Sequence, residues 1–571
     1  MSAVWTSSNG VVLRDLVPAE LRRSWVEQGH CPDQDLYTLF RAQARKHPQR
    51  TAVVDSQGTV RYGDLDARVR AVATILADAG LGPHDVIGIA VPNGRRAVAA
   101  ELAVAAIGAV ALPYPCRRGH RDAHSLLTRS RASAVITVNV AGGIAVAAEL
   151  TKLRDELPFL RTVFVFGSAP AGCRSLVEGF PDTGKDWSAT QVDPEAPARV
   201  LMSSGSEAEP KMVAYSHNAM AGGRASYVAA LHDGSRPMSN LVLVPLASSF
   251  GSLGTSVTLA ALGGTLLLLD TFNADAALRM ITNWRPSHVF GVPTMLRRMA
   301  EHPPVPNEDT ASLRAVVSSG APLQPDAARA CVQRFGHEVI NVYGSADGVN
   351  CHSATHHRAR TPGPAAGANC VGVPDPRVAD IRIVDSAGQD LLAGQEGEIW
   401  ARGPMTPLCY VNAPELDARY RTPDGWVRTG DRGVLDAAGR LHVLDRIKQI
   451  VIRGGYNISP AEVERALTAH PVLVDAACVP VADADLGERL CACVVQQPGT
   501  RAMTLREVNA FLADEQGLER PKLPELLVTL PELPLGAAGK VCRQTLIRLA
   551  ADACPAPSRS HRMSPGRPGP S

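Results

Sequence analysis

The sequence carries almost no net charge: 58 lysines and arginines face 56 aspartates and glutamates, leaving +2. Such a balance gives no whole-molecule field for gathering nucleic acid or an anionic membrane surface, so any anionic ligand has to be held by local groups. A C-x-x-C pair is also missing. The 12 cysteines are scattered, and Cys491-Ala492-Cys493 alternates as a strand does, without the spacing of a zinc site. Reduced thiols and a cytoplasmic setting are the expectation. The opening stretch MSAVWTSSNGVVLRDLVPAE lacks a basic segment leading into an apolar run, so no secretory signal is expected. Nor is there an unbroken membrane-length apolar stretch. Leu241 to Leu269 is uncharged, but Pro245, Ser248-Ser249, Gly251, Gly254 and Gly263-Gly264 divide it into strand, loop, short helix and strand. No internal repeat occurs.

What is present is length and alternation. At 571 residues the chain exceeds what one hydrophobic core serves, so at least two domains are expected. Apolar runs such as VIGIAVP, SAVITV, TVFVFG and HVFGVP alternate with Ala-rich amphipathic stretches, the pattern of α/β layers with mainly buried parallel strands. Around Ile381 the texture turns to strand and turn, which predicts a small β-rich subdomain. The expected division is a large domain over 1–444, a small α+β domain over 445–550, and a disordered Pro/Ser/Gly/Arg tail over 551–571.

Several loops carry groups suited to phosphate chemistry. In LMSSGSEAEPKMVAYSH (201–217), Ser203, Ser204 and Ser206 offer hydroxyls, Gly205 lets backbone N–H groups approach an anion, and Lys211 follows. Taken alone, this loop also reads as a solvated turn after a strand. NVYGSADG (341–348) sets the carboxylate of Asp347 after a tight Tyr-Gly turn. WVRTGD (426–431) sets Asp431 where it can accept two ribose hydroxyls. DRIKQIVIRGGYNISPAEVERAL (445–467) has a charged joint, a Gly-Gly turn and a Ser459-Pro460 helix start, and LPLGAAGKVCR (533–543) presents Lys540 from a glycine-rich loop.

In order and spacing these five segments resemble the adenylate-forming acyl-CoA synthetases, a family that includes luciferases and the adenylation domains of peptide synthetases. The resemblance spans roughly residues 35–548, and RGGYNISPAEVE has the form found in acyl- and aryl-CoA ligases. It implies ATP and Mg2+ as cofactors and CoA as co-substrate. It also implies a small domain that moves between two half-reactions, in a monomer or homodimer. By the same resemblance, the loop from Ser203 to Lys211 would hold the β- and γ-phosphates, Ser319, Gly320, Ala321, Tyr343, Gly344 and Ser345 would frame the adenine side, and Asp347 would hold magnesium. Asp431 and Arg446 would bind ribose, Lys448 would be the hinge, Lys540 would stabilise adenylation, and Gly454-Gly455 would line the thiol channel. Ser248, Ser249, Phe250, Gly251 and Phe290 would line an acid pocket that carries no charge to announce its substrate.

The chain also departs from the family pattern. Glu207, Ala208 and Met212 replace the usual Thr, Gly and Gly, Ala346 replaces a Thr, Asp347 replaces a Glu, and Pro245-Leu246-Ala247-Ser248 lacks the aromatic and His of the usual segment. Three functions therefore stay open: activation of an aromatic or aliphatic acid for a CoA or carrier-protein thiol, activation of nitrite for an aryl amine, and nucleotide binding without catalysis. Two further readings are lesser ones. Cys351, His352, His356 and His357 in CHSATHHRAR offer a zinc set or a plain loop, and CRRGHRD (116–122) offers a contact for a CoA phosphate or a solvated helix start.

Overall fold

A computed structural model describes residues 3–116, 120–176, 189–202, 210–232, 234, 236–320, 325–348, 350–352, 370–447, 451–453, 456–483, 486–518, 520–536 and 540–553. Contacts divide the chain into a large unit, Met1–Leu444 with Ala537–Lys540, and a small unit, Asp445–Gly536 with Val541–Ser571.

The large unit holds two eight-stranded sheets, each mainly parallel. The first includes Val86–Ala90, Val110–Pro113, Ala134–Val138 and Pro197–Met202, with Met212–Ser216 and Cys409–Tyr410 added antiparallel at one side. The second places His288–Gly291, Ala315–Ser319 and Val339–Gly344 side by side and parallel, beside Ser239–Val242 and Thr265–Leu268. Such strands are apolar throughout because helices cover both faces; VIGIA at 86–90 is buried at every position. The Ala-rich helix Arg95–Ala106 is buried from Ala97 to Ala106 and takes Glu101 inside with it. That carboxylate meets Arg199 of the first sheet at 2.7 Å. Burial raises the pKa of Glu101 while Arg199 opposes the rise.

The expected interruption of Leu241–Leu269 is present. Strand Ser239–Val242 leads through a turn to the short helix Gly254–Ala261, which has π character, and then to strand Thr265–Leu268. No helix among the described residues is long and apolar enough to cross a membrane. The β-rich region is a four-stranded sheet of Asp380–Val384, Gly397–Arg402, Val427–Leu435 and Leu441–Arg446.

In the small unit, Ser459 caps the helix Pro460–Thr468 by accepting from the Glu462 N–H at 3.1 Å, with Pro460 in the first turn, as the Ser-Pro pair predicts. The strand Gly487–Gln496 pairs with Leu473–Asp483 on one side and Leu526–Thr529 on the other. Its side chains alternate between two cores: Leu490, Ala492 and Val494 enter one, and Cys491, Cys493 and Val495 the other. The cysteine pair is thus core packing. The C-terminal helix Arg543–Ala553 runs three residues into the region expected to be tail; its apolar Leu546 and Ala550 are buried, which holds it in place. Residues 554–571 lie outside the described residues.

Candidate active site

In open α/β sheets ligands bind beyond the carboxyl ends of parallel strands. The second sheet brings four such ends together: Phe290-Gly291 closes one strand, Ser319-Gly320 the next, Tyr343-Gly344 the third, and the turn 245–251 follows the strand Ser239–Val242. Residues more than 90 positions apart in sequence thereby share one edge.

Asp347 lies in the turn after Val339–Gly344, where its N–H donates to Ser345 Oγ at 3.0 Å. Its carboxylate is almost fully buried. The Tyr410 hydroxyl donates to Asp347 Oδ1 at 2.7 Å, and Lys211 Nζ stands 3.6 Å from the same oxygen. Burial, then Asp347, drives the Tyr410 phenol well above its ordinary pKa, so it stays a donor. Lys211 also lies 3.9 Å from the ring centroid of Tyr420 and 5.6 Å from that of Tyr410. Topology explains the meeting. Lys211 precedes the strand Met212–Ser216, and Tyr410 pairs with Val213 of that strand. The Lys211–Asp347 ion pair therefore ties an edge of the first sheet to the strand ends of the second.

Asp431 sits within the strand Val427–Leu435, directly after Gly430 at φ 71°, rather than after a free turn. The Tyr343 hydroxyl donates to Asp431 Oδ2 at 2.5 Å, and the Asp431 N–H donates to Thr429 Oγ1 at 3.0 Å. Gly320 has φ 94°, and a Cβ there would stand 2.7 Å from Lys540 Cε and 3.2 Å from its Nζ. Only a glycine backbone leaves this passage for the lysine.

The turn 245–251, expected to line the acid pocket, is more self-contained than the sequence suggests. Ser248 Oγ donates to the Pro245 carbonyl at 2.7 Å and accepts from the Gly251 N–H at 2.9 Å, so its hydroxyl serves the turn. Phe250 and Phe290 meet edge to face at 6.1 Å. Ala346 is held from behind: the Tyr215 hydroxyl donates to its carbonyl at 2.9 Å.

Ser203, Ser204, Gly205, Ser206, Glu207, Ala208, Ala321, Lys448, Gly454, Gly455, His356 and His357 lie outside the described residues, as do the side chains of Arg446, Cys351 and His352. Among the described residues no group of three or more His, Cys, Asp or Glu could hold a metal ion. A single carboxylate suits Mg2+, which is held through one or two carboxylates plus substrate phosphates. With Oδ1 of Asp347 engaged by Tyr410 and Lys211, Oδ2 is the atom available to it.

Sequence reasoning missed Tyr410, Tyr420 and Arg224. Arg224 had a visible signal: it is the only Arg or Lys in the helix HNAMAGGRASYVAA.

The strand ends of the second sheet thus lie beside the buried Lys211–Asp347 pair and the Tyr343–Asp431 pair. The family model described as AMP-binding enzyme matches residues 40–411, and that of the AMP-binding enzyme C-terminal domain matches residues 462–540. The chain belongs to this family and is an ATP-dependent adenylate-forming ligase. It is 30% identical over 550 residues to a 2-hydroxy-7-methoxy-5-methyl-1-naphthoate–CoA ligase of Streptomyces carzinostaticus, covering 93% of this chain and 95% of the relative. It is 29% identical over 543 residues to a salicyl-AMP ligase/salicyl-S-ArCP synthetase of Mycobacterium tuberculosis, covering 93% of each. Among solved structures it resembles the amide bond synthetase McbA of Marinactinospora thermotolerans, with TM-score 0.76 and 31% identity over 90% of this chain and 99% of that one.

Proposed function

We propose that the protein activates a small carboxylic acid with ATP and hands the acyl group to the thiol of CoA. A carboxylate oxygen attacks the α-phosphorus, the bond to the bridging oxygen breaks, and pyrophosphate leaves. The thiol sulfur then attacks the acyl carbon, the thiol proton is released, and AMP leaves. The observation that carries this reading is the Lys211–Asp347 pair at the shared strand ends. It puts a cation and a metal-suited carboxylate where two anions have to be brought together.

Each residue's proposed part comes from the sequence resemblance, and its surroundings support it. Lys211, fixed by Tyr420 and Asp347, neutralises phosphate charge. Asp431 accepts from ribose hydroxyls while Tyr343 orients its carboxylate. Lys540, passing Gly320, supplies positive charge during adenylation. Asp347 Oδ2 would hold Mg2+, which would offset charge on the phosphates. Arg446 at the ribose, Lys448 as hinge and Gly454-Gly455 at the thiol channel complete the proposal from the sequence resemblance.

A second acceptor is favoured by one observation, the 31% identity to an amide bond synthetase: an amine in place of the thiol. The nitrite reading rests on Ser248 and Ala346; the Ser248 hydroxyl is committed to its own turn and Ala346 is fixed by Tyr215. The test is mass detection of the adenylate from a panel of aliphatic acids, aromatic acids and nitrite, followed by CoA, a carrier-protein thiol or an aryl amine. An acyl adenylate consumed by CoA supports the proposal. An adenylate consumed only by amine replaces the acceptor, and ATP binding with neither AMP nor pyrophosphate released refutes catalysis.

A further inference from the structure

The helix His217–Ala230 carries Arg224 into the interior, where the residue is 5% exposed. A guanidinium at that depth ordinarily has a carboxylate beside it, because an isolated buried charge is costly. Arg199, one buried neighbour, obeys the rule by pairing with Glu101. Arg224 does not: no ion pair among the described residues joins it to a carboxylate, and its hydrogen-bond partners are neutral oxygens. Nη1 donates to the Ser249 carbonyl at 3.1 Å and to Ser252 Oγ, and Nη2 lies 3.4 Å from Ser249 Oγ. The guanidinium carbon lies 5.6 Å from the Tyr215 ring centroid.

These contacts fix where the charge sits. On one side is the turn 248–251, expected to line the acid pocket. On the other is Tyr215, whose hydroxyl holds the Ala346 carbonyl next to Asp347. A guanidinium has five N–H donors in a planar fork, and the serine contacts leave part of that fork unspent. Resting on the acid-activation reading above, we infer that Arg224 is a specificity-determining residue. It holds a second oxygen acceptor, hydroxyl or carboxylate, on an acid whose reacting carboxylate is adenylated. A carboxylate there would balance the charge that the described residues leave unmatched, and a hydroxyl would fill the unspent part of the fork. Desolvation makes such a contact discriminating, since an analogue lacking the acceptor leaves the buried cation unmatched.

The test compares benzoate, 2-hydroxybenzoate and benzene-1,2-dicarboxylate, and butanoate with butanedioate, by acid-dependent pyrophosphate exchange on the unaltered protein. An acceptor-bearing member should exceed its parent by at least about tenfold in kcat/KM, the scale of one charge-assisted hydrogen bond. Which member wins separates hydroxyl from carboxylate. Arg224→Met should level that preference through KM for the favoured acid, with KM for ATP unchanged, and Arg224→Lys should restore part of it. Circular dichroism checks that the variants fold. Exchange with every acid but no preference in the unaltered protein overturns the inference and leaves acid activation standing. An equal loss for all acids in a folded Arg224→Met overturns it as well, because the arginine then serves the turn or the reacting carboxylate. Exchange with no acid at all overturns both readings.

Discussion

The ammonium of Lys211 lies 3.9 Å from the centre of the Tyr420 ring, a cation held against an aromatic face inside the protein. Such contacts contribute about 0.5–2 kcal/mol, and here the contact orients a group expected to meet phosphate. Tyr420→Leu should raise the KM for ATP by about two- to thirty-fold in steady-state assays, whereas Tyr420→Phe, which keeps the ring, should stay near the unaltered value. Equal behaviour of the two variants would separate Lys211 from nucleotide binding.

Lys540 shares the passage over Gly320. Lys540→Ala should reduce adenylate formation by at least about a hundredfold, the typical loss for one group stabilising developing charge, while a presynthesised acyl adenylate is still converted to thioester. Rapid-quench measurement of each half-reaction decides it. Equal losses in both would show that the lysine is not specific to adenylation.

Asp417 accepts from the Tyr410 N–H at 2.8 Å, and burial pushes its carboxyl up to about 6 from the ordinary 3.8. The folded state thus binds this proton more tightly than the unfolded state. The stability so contributed is fully present below about pH 4 and is lost as pH rises through about 6. Asp417→Asn keeps an acceptor for Tyr410, so its Tm should gain on the unaltered protein between about pH 4 and pH 7. A pH-independent difference in differential scanning calorimetry would refute the assignment.

Gly251 has no room for a side chain: a Cβ would fall 2.0 Å from the Pro245 carbonyl oxygen. Gly251→Ala must open the 245–251 turn, at about 1–3 kcal/mol by analogy with overpacking. The expected result is a lower unfolding midpoint and a raised KM for the acid, with ATP binding by calorimetry retained. Unchanged acid kinetics would remove this turn from the acid site.

Local pattern made much of this legible from sequence. Buried parallel strands need continuous apolar runs, and VIGIA shows one; a Ser-Pro pair announces a helix start, and Ser459 is the cap. The turns proposed for chemistry could be picked out because glycine and carboxylate spacing is local. Illegible was whatever depends on distant elements meeting. Tyr410 reaches Asp347 only because Cys409–Tyr410 joins the strand that follows Lys211. Arg224 stood out in sequence as the only Arg or Lys of its helix, but its burial and the neutral oxygens around it are properties of packing. Nor does sequence show that the Ser248 hydroxyl donates to the Pro245 carbonyl and accepts from the Gly251 N–H within its own turn.

The strand Gly487–Gln496 is a wall common to two rooms, with Leu490, Ala492 and Val494 facing one core and Cys491, Cys493 and Val495 the other. Neither core can come apart without stripping one face of that wall, so the two should exchange amide hydrogen together, with the slowest exchange along this strand. Damage to one core is then felt in the other: oxidation of Cys491 would loosen residues packed against Ala492 on the opposite face.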